Sequence, residues 1–238
     1  MYHWTEDMIR FMTDAAGYGD YHRKLAELIL PELRGRNKVC DAGCGLGDLS
    51  LALSGEIEKI TAVDIKPQAI RKLREKIAAG SIRGIEAVNA DIRQMRPVPP
   101  YDGMIFCFFG RSEEILDIAG QQCRGTVIAI KKNYNTHRFS VGSYPSGPDG
   151  YTRMQAILME RKIPFRNQPV SLEFGQPFRC FEDIRKFYLC YSRDEDPAVL
   201  TDEFLRSRVI ETGNPVFPFY MPHLRRLGII SFEAENIR

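Results

Sequence analysis

The chain has 238 residues, of which 44% are apolar and 27% charged, and its formal net charge is +2. This length fits one domain with or without an insertion, and the apolar fraction excludes wholesale disorder. The near-neutral charge does not favour nucleic acid or an anionic membrane as partner. The six cysteines form no C-x-x-C pair, no apolar run reaches the ~20 residues that span a bilayer, and no secretory signal begins the chain. We therefore expect a cytoplasmic protein with reduced thiols.

Two helices are predicted before the first strand. Apolar residues recur at helical spacing over residues 4–12, and a second helix runs from a cap at Asp20 to Leu33. Polar aromatic side chains surround this cap, and we predict that they contact a substrate: Tyr18, Tyr21 and His22.

A glycine-rich turn follows the first strand. Residues 38–53 read as a short apolar strand, a turn with glycines at 43, 45 and 47, and the start of an amphipathic helix. The phosphate-binding loop of NTPases is excluded because Asp48-Leu49-Ser50 replaces its Gly-Lys-Ser/Thr ending, and the dinucleotide fingerprint has a different glycine spacing. Asp41 ends the strand, where a carboxylate suits a cationic ligand better than a pyrophosphate. A nucleotide-type cationic ligand is therefore predicted over this turn.

The second strand, residues 59–64, also ends in an acid. Asp64 stands 23 residues beyond Asp41, near the ~20 expected of a carboxylate that accepts hydrogen bonds from ribose hydroxyls. The next helix begins at Pro67 and ends at Gly80. It carries a basic cluster, which we interpret as a solvated face rather than an RNA site because no aromatic residues are interleaved: Arg71, Lys72, Arg74 and Lys76.

Three further strands are predicted over residues 85–89, 103–108 and 126–130, with a helix over 112–120. Asp91 follows the third strand. The loop after the fifth strand, residues 131–139, would lie at the ligand-binding edge of a parallel sheet. Its titratable side chains either bind an acidic substrate or are simply solvated: Lys131, Lys132, His137 and Arg138.

The C-terminal part departs from the alternation of strands and helices predicted for the first part of the chain. A Ser/Pro/Gly-rich connection (143–150) and a helix around 154–158 precede a sixth strand at 170–174, and a last strand spans 227–232. Between these two strands lie predicted helices at 181–191 and from 201, and an aromatic loop at 217–220. Long inserts are usually functional, so we interpret this one as a substrate lid.

The glycine turn Asp41-Ala42-Gly43-Cys44-Gly45-Leu46-Gly47 resembles motif I, D-x-G-x-G-x-G, of the class I S-adenosylmethionine-dependent methyltransferases. The resemblance covers residues 38–130 through motifs. It implies an α/β fold with a mostly parallel, seven-stranded, Rossmann-like sheet and helices on both faces. We expect one domain, 1–238, made of an N-terminal helical cap (1–35), a cofactor-binding core (36–174), a helical insert (175–220) and a closing strand (221–238).

The resemblance also implies the cofactor, S-adenosyl-L-methionine, which becomes S-adenosyl-L-homocysteine. In this family Asp64 would bind the ribose, Ile65 would pack on the adenine and Asp91 would accept a hydrogen bond from the adenine amino group. The complete predicted cofactor-binding set is Asp41, Gly43, Cys44, Gly45, Gly47, Asp64, Ile65, Asp91, Ile92, Cys107 and Phe108.

The acceptor is predicted less closely. The end of strand four lacks the Asn/Asp-Pro-Pro-Tyr/Phe motif of enzymes that methylate exocyclic amino groups of bases, and no carboxylate lies between Asp102 and Glu113, so no metal is expected. We predict in-line transfer to a small molecule, bound by Tyr134 and His137 together with the three cap residues. His22 and His137 are candidate bases by pKa alone. Alternatives are a nicotinamide-dependent oxidoreductase, a non-catalytic S-adenosylmethionine-binding protein and an RNA methyltransferase.

Overall fold

The computed structural model of the protein describes residues 4–134, 149–191 and 197–237. Contacts divide these residues into two compact units. The sheet unit comprises residues 22–133, 149–170 and 226–237, and the insert unit comprises 4–21, 134, 171–191 and 197–225.

The helices and strands alternate through the first half of the chain. The helices are α1 (Glu6–Tyr18), α2 (Tyr21–Ile29), α3 (Asp48–Leu53), α4 (Pro67–Ala79), α5 (Ser112–Gln122), α6 (Tyr151–Glu160), α7 (Phe181–Tyr191) and α8 (Asp202–Ser207). The strands are β1 (Lys38–Ala42), β2 (Lys59–Asp64), β3 (Ile85–Asn89), β4 (Tyr101–Cys107), β5 (Cys123–Lys132), β6 (Arg166–Glu173), β7 (Gln176–Phe178), β8 (Ile210–Glu211), β9 (Phe219–Met221) and β10 (Leu224–Glu233).

A seven-stranded sheet has the order β3-β2-β1-β4-β5-β10-β6. The first five strands in this order pair in parallel, and β10 pairs antiparallel with β5. Their apolar side chains are buried on both faces, as continuous burial along β1, β4 and β5 shows, so helices cover the sheet. The carboxyl ends of β1, β2, β4 and β5 therefore lie along one edge, and this edge places the functional residues. The predicted fold class is confirmed.

The insert unit has its own core. It contains the predicted helices α7 and α8. It also contains a three-stranded antiparallel sheet, β7-β9-β8, which the prediction of a helical insert did not include. Phe11 of α1 packs edge-to-face on Phe178 and Phe187. Bidentate pairs also hold α1 in this unit: Arg10 donates to Asp183 (2.8 and 2.8 Å) and Arg179 to Asp14 (2.9 and 2.7 Å). The N-terminal helix and the insert thus form one packed body.

Several element boundaries differ from the sequence prediction: α2 ends at Ile29 rather than at Leu33, and β5 begins at Cys123 rather than at 126. α1 continues to Tyr18 through Gly17, because its apolar face is packed in the insert unit, and β6 begins at Arg166 rather than near 170. Within the described ranges, no helix is long and apolar enough to cross a membrane.

Candidate functional site

The glycine turn sits between β1 and α3 at the carboxyl edge of the sheet. Gly43, Gly45 and Gly47 have φ values of 70°, 56° and 74°, the left-handed region that side chains with a Cβ adopt at a cost. Gly43 and Cys44 donate their backbone N–H groups to the carbonyl of Val63 (2.8 and 3.0 Å). The turn is therefore tied to β2, and its alternating glycines are a conformational requirement.

Two of the three glycines also make room for neighbouring side chains. A Cβ on Gly43 would overlap the ring of Phe109, and a Cβ on Gly47 would overlap Leu73 of α4. The Phe109 ring is nearly parallel to that of Phe106, at a centroid distance of 6.5 Å. Gly43 and Gly47 thus serve packing inside the sheet unit. Sequence reasoning missed Phe109, since an aromatic residue just after a strand carries no signal for this contact.

The carboxylate of Asp64 reaches the glycine turn from the tip of β2. Its Oδ2 accepts a hydrogen bond from the Gly45 backbone N–H (3.0 Å), and its Oδ1 accepts one from the Lys66 N–H (2.8 Å). Each carboxylate oxygen can accept further bonds, so the side chain is oriented without being saturated. The structure brings Asp64 and Gly45 together, as a common ligand site requires.

Asp41 is a buried carboxylate with an unsatisfied oxygen. It is 1% exposed; Ser50 donates to its Oδ2 (2.6 Å), while its Oδ1 has no hydrogen-bond partner among the described residues. Burial raises the pKa of Asp41 to about 6; the Ser50 hydrogen bond opposes this shift and the charge of Asp64 adds to it. A buried acid of this kind gains free energy from a cationic partner.

Lys76 differs from the solvated face predicted for the basic cluster on α4. Lys76 is not solvated: its ammonium donates to Asp48 Oδ1 (2.6 Å) and to the Leu46 carbonyl (3.2 Å), and both charged side chains are 16% exposed. Lys76 therefore holds α4 against the glycine turn. Arg74 and Lys72 also have partners, the carbonyl of Ala87 and the carboxylate of Glu75.

The residues predicted to contact adenine have different surroundings. Ile65 is 40% exposed at the tip of β2, which suits an apolar contact with a ring. Asp91 accepts hydrogen bonds from the side chain and backbone of Arg93 (2.9 and 3.1 Å), which lower its pKa. The Ile92 side chain lies in the hydrophobic core, and its carbonyl accepts a bond from Gln122 (2.6 Å). These assignments stay predictions.

The end of β4 is a strained turn. Cys107 and Phe108 are half-buried, and Phe108 has a φ of 54° and Gly110 one of 75°. Left-handed backbone at a residue with a Cβ costs free energy and persists only where surrounding contacts hold it. The Phe108 N–H donates to the Ile130 carbonyl (2.9 Å), which fixes the turn to β5.

A buried ion pair fixes the same turn from the other side. Lys131, 4% exposed, donates to the Gly110 carbonyl (3.0 Å) and to Asp149 Oδ2 (2.8 Å). Asp149 Oδ1 in turn accepts bonds from the N–H and the hydroxyl of Ser112. Three segments of the chain meet at this node, so Lys131 is not available to an acidic substrate.

The predicted substrate residues fall in different places. Tyr18, half-buried in the insert unit, stacks on Tyr220 (5.0 Å between centroids) and meets Phe217 edge-to-face (5.6 Å). Tyr21 is 3% exposed and packs on Phe174 at 4.4 Å. His22, in the sheet unit, and Tyr134, in the insert unit, are half-buried, and His137 lies outside the described residues. Their role in binding stays a prediction.

Over the ranges that the structure describes, no group of three or more His, Cys, Asp or Glu side chains is arranged to hold a metal ion. The expectation that no metal takes part stays a prediction.

Residues 39–127 match a family model described as a methyltransferase domain. This range runs from β1 to β5 and includes the glycine turn, Asp64 and the strained turn after β4. The search of curated proteins finds no match.

Solved structures share the fold. The YcgJ protein of Bacillus subtilis superposes with a TM-score of 0.58 at 12% identity, over 89% of this chain and 99% of that one. A precorrin-6y C5,15-methyltransferase from Geobacter metallireducens gives 0.51 at 14% identity, with coverages of 88% and 89%. A magnesium protoporphyrin IX methyltransferase from Synechocystis, solved with bound S-adenosylhomocysteine, gives 0.50 at 15%, with coverages of 74% and 85%. The domain match and the shared fold confirm the resemblance to class I methyltransferases.

Proposed function

We propose that this chain, which carries a methyltransferase domain of the class I fold, transfers the methyl group of S-adenosylmethionine to a small-molecule acceptor. The observation that carries the proposal is the buried carboxylate of Asp41, whose Oδ1 has no partner among the described residues, next to the glycine turn. An ammonium group would supply the missing partner, and S-adenosylmethionine has one in its methionine part.

Two further side chains beside the turn suit other parts of this cofactor. Asp64 is oriented by Gly45 and Lys66 with acceptor capacity left for ribose hydroxyls. Ile65 offers an exposed apolar surface for adenine. When bound, S-adenosylmethionine supplies a methyl group activated by its sulfonium. The chain's own part is to orient the two reactants, which is worth about 7–11 kcal/mol in favourable cases.

The carboxylate of Asp41 and the glycine spacing argue against the oxidoreductase alternative. Asp41 would lie beside a pyrophosphate, where like charges repel, and the glycine spacing differs from the dinucleotide fingerprint. The RNA methyltransferase alternative loses support because Lys72, Arg74 and Lys76 are engaged within the sheet unit. Nucleic acid would require a continuous basic groove.

The proposal is tested by calorimetric titration of the purified protein with S-adenosylmethionine, S-adenosylhomocysteine and NAD. We expect binding of the first two and none of the third, and binding of NAD alone would overturn the proposal. Turnover is then measured with tritiated methyl donor and pooled metabolites. Binding without transfer to any pool would favour the non-catalytic alternative, and transfer to RNA but not to metabolites would favour the RNA methyltransferase.

A further inference from the structure

Two adjacent lysines end β5 at the carboxyl edge of the sheet, and the structure separates their roles. Lys131 is buried and its ammonium is satisfied by Asp149 and the Gly110 carbonyl. Lys132 is half-buried, and within the described ranges its ammonium has neither a hydrogen bond nor an ion pair. The sequence alone did not distinguish them.

Among the residues that the structure describes, no side chain pairs directly with the ammonium of Lys132. The nearby carboxylate of Asp149 already accepts bonds from Lys131 and Ser112 with both its oxygens. Partial burial lowers the pKa of Lys132; the charge of Lys131 adds to this shift and that of Asp149 opposes it. A partly desolvated ammonium that has no direct ion pair within the described ranges costs free energy, which an anionic ligand would recover.

The stem of Lys132 is also placed by packing. Gly150, just before α6, lies against it: a Cβ at this glycine would stand 3.0 Å from the Lys132 carbonyl and 3.7 Å from its Cγ. The 3.7 Å distance is an ordinary contact, so the segment before α6 packs beside the backbone and the stem of Lys132.

The position of Lys132 suits a small acceptor. In the sheet order β1-β4-β5, Ile130 is level with Cys107, so Lys132 lies two residues beyond the end of β4. Two strand spacings, about 10 Å, separate β5 from β1 and its glycine turn. A small molecule with an anion at Lys132 would extend over the end of β4 toward that turn.

We propose that Lys132 binds an anionic group of the methyl acceptor, so that the acceptors are small molecules carrying a carboxylate or a phosphate. The inference rests on the proposed function and adds the substrate class to it. Lys132 acts here as a specificity residue through charge, a role that arginine can fill, whereas a general base must lose a proton, which arginine does not do.

The experiment uses tritiated S-adenosylmethionine and metabolites below 1 kDa, separated by anion exchange into an anionic pool and a neutral or cationic pool. The variants are Lys132→Met, Lys132→Gln, Lys132→Arg and the control Lys59→Met. Lys59 is the first residue of β2 and pairs with Glu86 in the wild type. We expect transfer with the anionic pool, a loss of at least tenfold in Lys132→Met and Lys132→Gln, and most of the activity in Lys132→Arg and Lys59→Met. S-adenosylhomocysteine affinity should be unchanged in all four.

The inference would be overturned by transfer confined to the neutral or cationic pool, or by wild-type transfer in both neutral variants. Loss of activity in Lys132→Arg as well would contradict charge recognition and favour a base. If the protein binds the cofactor but transfers methyl to neither pool, the proposed function fails and the inference fails with it. Phosphatase treatment of the anionic pool distinguishes the sources, since transfer to a phosphate ester would then disappear and transfer to a carboxylate would persist.

Discussion

The ring of Phe109 lies against Gly43, in the space that a Cβ on Gly43 would occupy. This contact joins the turn after β4 to the glycine turn after β1. The two segments that flank the proposed site of methyl transfer are thus packed on each other. A substitution in one segment should therefore alter the packing of the other.

We first predict that Gly43→Ala is more destabilising than Gly35→Ala. Both glycines have similar φ values, 70° and 73°, but a Cβ on Gly35 meets nothing within 4 Å. The backbone strain should therefore be shared, while overpacking against Phe109 should add about 1–3 kcal/mol in Gly43→Ala. Urea unfolding of both variants measures the difference. When Gly43→Ala is added to Phe109→Ala and compared with Phe109→Ala alone, the extra cost of overpacking should be absent. Equal free energies of unfolding in the two single variants would contradict the packing role.

Asp41→Asn should stabilise the ligand-free protein and weaken cofactor binding. The folded-state pKa of Asp41, about 6, lies above the ordinary value of 3.8 for an aspartate side chain. Its contribution to stability is therefore most favourable below about pH 4 and is lost as the pH rises from there to 6, and it amounts to roughly 3 kcal/mol. Since the neutral asparagine avoids this cost, we expect a higher unfolding temperature at pH 7.5 and at least tenfold weaker S-adenosylmethionine binding.

In the wild type, cofactor affinity should rise with pH through about 6, because the cation binds the ionised form of Asp41. Asp117→Asn, which changes an exposed carboxylate on α5, serves as the control and should alter neither property. Tighter binding by Asp41→Asn, or a flat affinity between pH 5 and 7.5, would show that this carboxylate does not meet the cofactor.

Asp64→Ala should weaken S-adenosylhomocysteine binding by about 1.5–3 kcal/mol, because the ribose hydroxyls lose their charged hydrogen-bond acceptor. Calorimetric titration measures the change. Asn89→Ala is a matched control: Asn89 donates to the backbone carbonyl of Asp64 (2.9 Å) and leaves the carboxylate in place. An unchanged dissociation constant in Asp64→Ala would remove Asp64 from the site.

Lys76→Met should cost about 1–3 kcal/mol of stability, since it leaves the partly buried Asp48 without its counterion. Lys72→Met is the comparison, because its pair with Glu75 is exposed and such pairs contribute about 0–1 kcal/mol. Thermal unfolding of the two variants tests this. If the two variants have the same unfolding temperature, the Lys76 contact does not hold α4 to the glycine turn.

Methyl transfer should continue after exhaustive treatment with EDTA. The expectation comes from the sequence at the end of β4, where no carboxylate stands between Asp102 and Glu113. Activity lost on chelation and restored by Mg²⁺ or Zn²⁺ would refute it.

Local patterns in the sequence were sufficient to predict the fold class. Apolar strands ending in Asp41 and Asp64, and glycines at alternate positions, depend on residues close in the chain, so their spacing predicts carboxylates at one edge of a sheet. The resemblance of this turn to motif I of the class I methyltransferases then implied the seven strands, which the structure contains. Tertiary structure decided the rest, because packing joins residues far apart: Phe109 on Gly43, Lys76 on Asp48, and Arg10 on Asp183. The two lysines of Lys131-Lys132 are identical in sequence terms. Only the fold, which brings Asp149 to Lys131, distinguishes this buried and paired lysine from its half-buried neighbour Lys132.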